Sequence, residues 1–340
     1  MTETGMGITA TDDQRMIADS FARVFAGGGD AWNALEETGL TRATWPEAMD
    51  GAGMGLTDML PALVEAGRAA TLAPVIGCGV LPGLALSRAG LASDLPAGRL
   101  CLALGPLRED AEGRVSGTLG PVAGGDMAEQ ALVCLPGDRL AVLPVQDRDA
   151  FRLVDGHGAA DLAFGRARPL ATGAASSGLA AWLEDAAATA QAADALGALM
   201  AAREMTREYL KQRKQFGRPL AAFQALQHAM VDLHHETEHF LSLVHLAAHA
   251  CDGAGAALRV RAVSAVKIYL GGRIRRAAAS AIQLHGGIGM TEDYALGGLV
   301  KRVLLADMLH GRADSHRARL AALVAEETRQ DTPNRKDSAA

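Results

Sequence analysis

Apolar positions recur at helical spacing over both ends of the chain and give way to short extended runs in between. Near the start, Met16, Ile17, Phe21, Val24 and Phe25 share one face of a helix that Asp12 is placed to cap. Trp32, Leu35 and Leu40 follow, then Trp45-Pro46-Glu47 and a glycine cluster at Gly51, Gly53 and Gly55 that reads as a turn. A second helix is predicted from Thr57 to about Ala69, ended before Pro74. Between about Leu100 and Leu170 the texture changes. Apolar runs Ala131–Leu135 and Leu140–Val145 flank Pro136-Gly137-Asp138, a hairpin signal, and Val115, Val122, Val142 and Val145 add β-branched weight. From about Ser176 to Thr328, four amphipathic helices are predicted at 178–213, 222–250, 256–285 and 295–326. In the second, Phe223, Leu226, Met230, Leu233, Phe240 and Val244 form a stripe whose one gap is filled by Thr237. In the third, Val263, Val266, Leu270, Ile274, Ala277, Ala281 and Leu284 share a face, and four such helices make a bundle. The predicted architecture is mainly α with a small β domain: a helical domain over 1–98, a reduced β domain over 99–174, a four-helix bundle over 175–328 and a flexible tail over 329–340.

Composition narrows the function classes. The chain has 340 residues, 49% of them hydrophobic, which is ample for a large core. A formal net charge of −6 argues against a nucleic-acid surface, which carries a basic excess. Cys78, Cys101, Cys134 and Cys251 are far apart and form no CxxC pair, so neither a disulfide framework nor a zinc ribbon is indicated. The opening stretch is polar and acidic, unlike a secretory leader, and no apolar run is long enough for a membrane span, so a cytoplasmic protein is expected. No GxGxxG fingerprint or P-loop is present.

One motif suggests a metal hydrolase. His235-Glu236-Thr237-Glu238-His239 satisfies HExxH, with two histidines on one helix face and a Glu able to act as base, and His245 falls where a third zinc ligand would. The longer zinc pattern needs a glycine where this chain has Ser242, because the helix must break to turn the third histidine back. Here the apolar stripe continues through Phe240, Leu241 and Val244, and on a straight helix His245 lies about 80° around from His235. His228, His235, His239 and His249 lie opposite the stripe and read as a histidine-rich outer face. No metal is assigned, and a zinc hydrolase using His235 and His239 is the least favoured alternative.

Two stretches in the helical half carry a resemblance. The first runs Tyr209-Leu-Lys-Gln-Arg213-Lys-Gln-Phe216-Gly217-Arg-Pro219 and on through Phe223-Gln224 to His228. The second is Gln283-Leu-His-Gly286-Gly287-Ile-Gly289-Met-Thr291-Glu-Asp-Tyr294. Together they resemble the C-terminal domain of the acyl-CoA dehydrogenases, flavoenzymes that oxidise acyl-CoA thioesters to the 2,3-enoyl-CoA. Pro46-Glu47 with the glycine cluster resembles that family's N-terminal helical domain. Gly113-Arg-Val-Ser-Gly117 and Val122–Ala128 resemble its middle β domain. The resemblance implies FAD as cofactor, with Arg213, Phe216, Gln224, Gln283, Gly286 and Gly287 reaching a flavin nucleotide bound mainly by a neighbouring subunit. Physically, a guanidinium suits a pyrophosphate, an aromatic ring covers an adenine or ribose edge, and glycine lets the backbone approach closely. Each also has an ordinary counterpart: a solvated helix-end charge, a core contact, a capping turn.

Two family features are missing. The Thr-Glu-Pro-Gly-type stretch that binds the flavin ring is replaced by Ala103-Leu-Gly-Pro-Leu-Arg-Glu-Asp, and the position of the family's base Glu holds His310, in Leu309-His310-Gly311-Arg312. In a second lineage the Glu lies early in the first bundle helix, where this chain has about Ala187, with Glu184 and Asp185 nearby but out of phase. The resemblance therefore implies a subunit without a catalytic residue of its own, like the smaller chain of heterotetrameric (α2β2) acyl-CoA dehydrogenases of steroid side-chain degradation. Its partner would be a longer chain carrying the base, and its substrate a steroid side-chain CoA ester. The alternative is a self-sufficient enzyme with His310 or Glu184 as base.

Overall fold

A computed structural model describes residues 11–91, 95 and 97–331. Four helices open the chain: α1 (Asp12–Ala26), α2 (Ala31–Glu37), α3 (Leu56–Arg68) and α4 (Leu81–Leu86), the last continuing from a π turn over Val75–Val80. Thr11, rather than Asp12, caps α1. Its hydroxyl accepts from the Gln14 N–H at 3.2 Å, and the Gln14 side chain accepts from the Thr11 N–H at 3.0 Å. Asp12 falls in the first turn, where a negative charge favours the helix dipole. The glycine cluster is a turn: Gly53 has φ 64°, and a Cβ on Gly51 would stand 2.1 Å from the Trp45 carbonyl oxygen. The start of α3 is capped from far along the chain, by the Asp252 carboxylate accepting from the N–H groups of Leu56 (3.0 Å) and Thr57 (2.7 Å).

Eight strands follow: β1 (Leu100–Ala103), β2 (Arg108–Glu109), β3 (Val115–Ala123), β4 (Gln130–Leu135), β5 (Arg139–Pro144), β6 (Asp147–Arg152), β7 (Gly158–Ala167) and β8 (Ala171–Ala174). They form two four-stranded sheets, ordered β1-β4-β5-β8 and β2-β3-β7-β6. The pairing is antiparallel except for β1 with β4. The predicted hairpin joins β4 to β5, with Gly137 and Asp138 at φ 77° and 50°. Its runs are apolar without alternation because this sheet is buried on both faces. Leu102, Leu132, Leu140 and Val142 pack toward the helices, while Cys101, Val133, Ala141 and Leu143 pack toward the other sheet.

The rest is helical apart from a two-stranded hairpin of β9 (Lys214–Gln215) and β10 (Arg218–Pro219). Its helices are α5 (Leu179–Gln212), α6 (Gln224–Gly253), α7 (Ala256–Tyr269), α8 (Arg275–His285), α9 (Leu296–Met308) and α10 (Ala313–Asp331). A π turn over Leu270–Ile274 joins α7 to α8, so the predicted third segment is one rod with a wide turn inside it. The predicted fourth segment is two helices, broken at residues 309–312. Of the predicted tail, residues 332–340 lie outside the described residues, and 329–331 belong to α10.

Helix α5 is the central rod. It meets α3 backbone to backbone: a Cβ on Gly67 would lie 1.8 Å from the Asp194 carbonyl oxygen, and one on Gly197 would lie 1.9 Å from that of Val64. Beside this crossing, buried Asp194 takes a two-pronged ion pair from Arg302 of α9, at 2.6 and 2.7 Å. Arg302 also donates to the Thr71 carbonyl at 2.7 Å, tying the N-terminal helices to the bundle. The molecule is mainly α with a small β region, as the residue pattern predicted.

Candidate functional site

The two motif stretches meet at one end of the bundle. Tyr209, in the last turns of α5, stacks on His285 at the end of α8 with ring centroids 4.6 Å apart, and Tyr294 lies 5.2 Å from the same imidazole. His285 is buried and its Nδ1–H donates to the Ala281 carbonyl at 2.8 Å, and burial lowers its pKa. Nothing in the two motif strings marks Tyr209 or His285 for this contact. Their task is to hold the motifs together.

After α5 the backbone becomes extended at Arg213, whose carbonyl accepts from the Leu220 N–H at 2.8 Å and closes the β9–β10 hairpin. The tip is Phe216-Gly217, both in the left-handed region at φ 53° and 78°. This turn thrusts the Phe216 ring outward, 89% exposed, where it meets the Phe223 ring in a T-shaped contact with centroids 6.1 Å apart. Arg213, Gln224, Gln283, Gly286 and Gly287 are exposed too. Arg213 has no carboxylate partner among the described residues. Gly286, at φ 64°, requires glycine for its conformation, whereas Gly287 does not, and a Cβ on either would meet nothing within 4 Å. The six predicted cofactor residues therefore lie at chain reversals and helix ends on the surface, uncommitted to this chain's own core.

A second cluster surrounds residues 309–312. The carbonyl groups left unpaired at the end of α9 are received by Lys267 of α7: its fully buried ammonium donates to the carbonyls of Ala306, Leu309 (2.7 Å) and Asp307 (3.4 Å). Burial pulls the Lys267 pKa down to about 8, against the attraction of Asp307. His316 of α10 donates through Nε2 to the His310 carbonyl at 3.1 Å, and its Nδ1 faces the Ser264 hydroxyl at 3.3 Å. The His310 ring then meets α5, with Nδ1 3.1 Å from Glu184 Oε2. The two rival bases of the sequence reading, 126 residues apart, are thus in contact. Asp185 is not available as a base: it is fully buried between Arg259 (2.9 Å) and Arg319 (3.0 Å). Sequence reasoning missed Lys267. The signal was a lysine on the buried face defined by Val263, Val266 and Leu270.

The histidine-rich face belongs to α6, which runs unbroken over Gln224–Gly253 and leaves His228, His235, His239 and His249 exposed. Glu236 is committed elsewhere, accepting from the Tyr269 hydroxyl and lying 3.5 Å from Arg273. Burial and then Glu236 push the Tyr269 pKa up to about 12. Among the described residues no three His, Cys, Asp or Glu side chains converge to hold a metal ion. No helix among them is long and apolar enough to cross a membrane.

The family described as "Acyl-CoA dehydrogenase, C-terminal domain" matches residues 178–325. Acyl-CoA dehydrogenase IpdE2 of Mycobacterium tuberculosis is 33% identical over 273 residues, spanning 77% of this chain and 76% of that one. Among solved structures, a chain of a variant of the Tcur3481–Tcur3483 steroid ACAD superposes with a TM-score of 0.83 at 25% identity, covering 94% of this chain and 100% of that one. A chain of the ChsE4–ChsE5 complex from Mycobacterium tuberculosis gives 0.84 at 21% identity, with 97% and 100% covered, a likeness of fold.

Proposed function

The chain belongs to the acyl-CoA dehydrogenase family, and from that premise we propose that it is one subunit of a heteromeric, FAD-dependent enzyme that forms the 2,3-enoyl-CoA from an acyl-CoA thioester. In this reading a longer cytoplasmic partner holds most of the flavin and carries the carboxylate base, the assembly is α2β2, and the acyl group is a steroid side chain. The name of the Tcur3481–Tcur3483 steroid ACAD supports the substrate class and the two-component assembly.

One observation carries the proposal: Arg213, Phe216, Gln224, Gln283, Gly286 and Gly287 are exposed, and none is packed into this chain's core. The face fits a dinucleotide. Arg213 offers an uncommitted guanidinium to a pyrophosphate, and Phe216 an open ring to an adenine or ribose edge. Gln224 and Gln283 supply amide donors and acceptors, and Gly286 and Gly287 leave the backbone open to close approach. FAD, when bound, supplies the hydride acceptor of the reaction.

Expression alone and with a longer family member from the same genome tests the reading. Alone, the chain copurifies with little flavin and has no dehydrogenase activity. Together, the pair is yellow and active, and Arg213→Ala lowers flavin affinity by about tenfold or more, the loss of a charge-assisted contact. A flavin-loaded, active assembly of this chain alone refutes the proposal. That outcome would instead favour a self-sufficient enzyme, a reading that draws on the 3.1 Å contact between His310 and Glu184.

A further inference from the structure

The exposed, histidine-rich face of α6 contains one histidine whose ring is tied back into the fold. Tyr269, the last residue of α7, stacks on buried Phe240 with ring centroids 6.5 Å apart, which sets its hydroxyl against α6. That hydroxyl lies 2.5 Å from Glu236 Oε2 and 3.3 Å from His239 Nδ1. A phenol has one proton to donate. It goes to Glu236, the nearer acceptor and a carboxylate whose other oxygen faces Arg273 at 3.5 Å. The Tyr269 oxygen is then an acceptor toward His239. Nδ1 of that ring carries the proton, and the lone pair stands on Nε2.

His235 stands one turn earlier on the same unbroken helix. Residues four apart on a helix are neighbours, with Cβ atoms about 5–6 Å apart, so two imidazoles at this spacing can meet one ion between them. His235 is exposed and makes no hydrogen bond among the described residues, so no bond has to break for it to ligate. The neighbouring histidines are placed differently. His234 accepts at Nδ1 from Arg203 (2.8 Å), whose guanidinium also pairs with Glu238 at 3.0 Å. His245 is half-buried and lies about 80° around the helix from His235. A histidine that donates its second ring nitrogen to a fixed acceptor has its tautomer set and its ligating nitrogen made more basic. His239 has that acceptor in Tyr269.

We propose that His235 and His239 bind a borderline divalent transition-metal ion, with Nε2 of His239 and a ring nitrogen of His235 as ligands and Tyr269 and Glu236 as the brace behind them. Water completes the coordination. Imidazole ligands select Cu2+, Ni2+ and Zn2+ over Mg2+ and Ca2+, and among these Cu2+ binds most tightly. Glu236 occupies the place of the base in the HExxH pattern, but its carboxylate is engaged by Tyr269 and Arg273 and is not left to activate a metal-bound water. The pattern therefore builds a holding site and not a hydrolytic one. The site is independent of the acyl-CoA reading above.

Titration of the untagged full chain with CuCl2 and with ZnCl2 tests this, read by calorimetry and, for copper, by electron paramagnetic resonance. One Cu2+ binds per chain with two imidazole nitrogens in its spectrum, Zn2+ takes the same site more weakly, and Mg2+ does not compete. His235→Ala and His239→Ala each weaken binding about tenfold or more and remove one nitrogen from the spectrum. Tyr269→Phe keeps the ring on Phe240 but removes the acceptor behind His239, and weakens binding about tenfold. His228→Ala, a substitution at another exposed position of α6, leaves the affinity unchanged. Unchanged affinity in His235→Ala or His239→Ala, or an equal loss in His228→Ala, means an adventitious ion shared among surface histidines and overturns the site. Native affinity in Tyr269→Phe overturns the brace. The three histidines are exposed, so their comparison decides the site even if Tyr269→Phe fails to fold.

Discussion

Removing either member of the Arg302–Asp194 pair should destabilise the protein far more than removing both. Their side chains are 4% and 2% exposed, and both carboxylate oxygens are engaged at 2.6 and 2.7 Å. Burial works against the guanidinium's charge, and Asp194 more than reverses this, leaving the Arg302 pKa raised. Arg302→Met strands a buried carboxylate, at about 3–5 kcal/mol, and takes the 2.7 Å donor from the Thr71 carbonyl, at about another 1 kcal/mol. Asp194→Ala strands the guanidinium at a similar cost. The double variant strands neither charge and should fall within about 1–2 kcal/mol of the native chain, because a buried ion pair gains little over an apolar replacement. Urea unfolding followed by circular dichroism gives all three values and hence the coupling energy. Single variants each costing under about 1 kcal/mol, or a double variant equal to the sum of the singles, would show that the pair is not the buried, mutually dependent unit described here.

Two further predictions separate chain stability from assembly. Gly287→Ala leaves the melting temperature of the isolated chain unchanged or slightly raised, since a Cβ there meets nothing within 4 Å, yet weakens flavin retention in the complex; equal flavin retention would mean that nothing approaches this backbone. Burial lowers the pKa of both His285 and His316 from the ordinary 6.5, so each contributes stability that is complete above that value and is lost as pH falls through the lowered folded values. Thermal unfolding between pH 7.5 and 4.5 should therefore show a decline that His316→Gln blunts, and an unchanged slope in that variant would contradict the assignment.

What the residues revealed depended on how local the governing physics is. The stripe of α6 and the β4–β5 hairpin were legible because period and turn chemistry are properties of neighbouring residues. Both motif stretches were legible as strings, but that they meet through Tyr209 and His285 was not. The break after Met308 was hidden because apolar spacing continues through Leu309; the backbone turns extended at Leu309 and left-handed at His310 and Gly311, and a lysine from α7 takes up the freed carbonyls. Contact between His310 and Glu184 joins residues noted separately, and no local pattern could have paired them. Thr11 displaced Asp12 as the cap for a smaller reason: the reciprocal bond from Gln14 rewards the residue three positions before it.

The π turn at Leu270–Ile274 sets the phase of everything after it. A helix that absorbs one surplus residue in such a turn leaves its downstream residues about 100° less far round and about 1.5 Å less far along than an unbroken α-helix of the same residues would. His285 reaches Tyr209, and Gln283 reaches the surface, with that offset already included. Gly271 marks the place where α9 presses in, since a Cβ there would come within 2.4 Å of the Asp307 carboxylate. Deleting one residue from this turn would restore ideal helix geometry with the end of α8 still in alignment, whereas forcing all of its residues into ideal α-helix would swing that end about 100° round and displace a surface whose own residues had not changed.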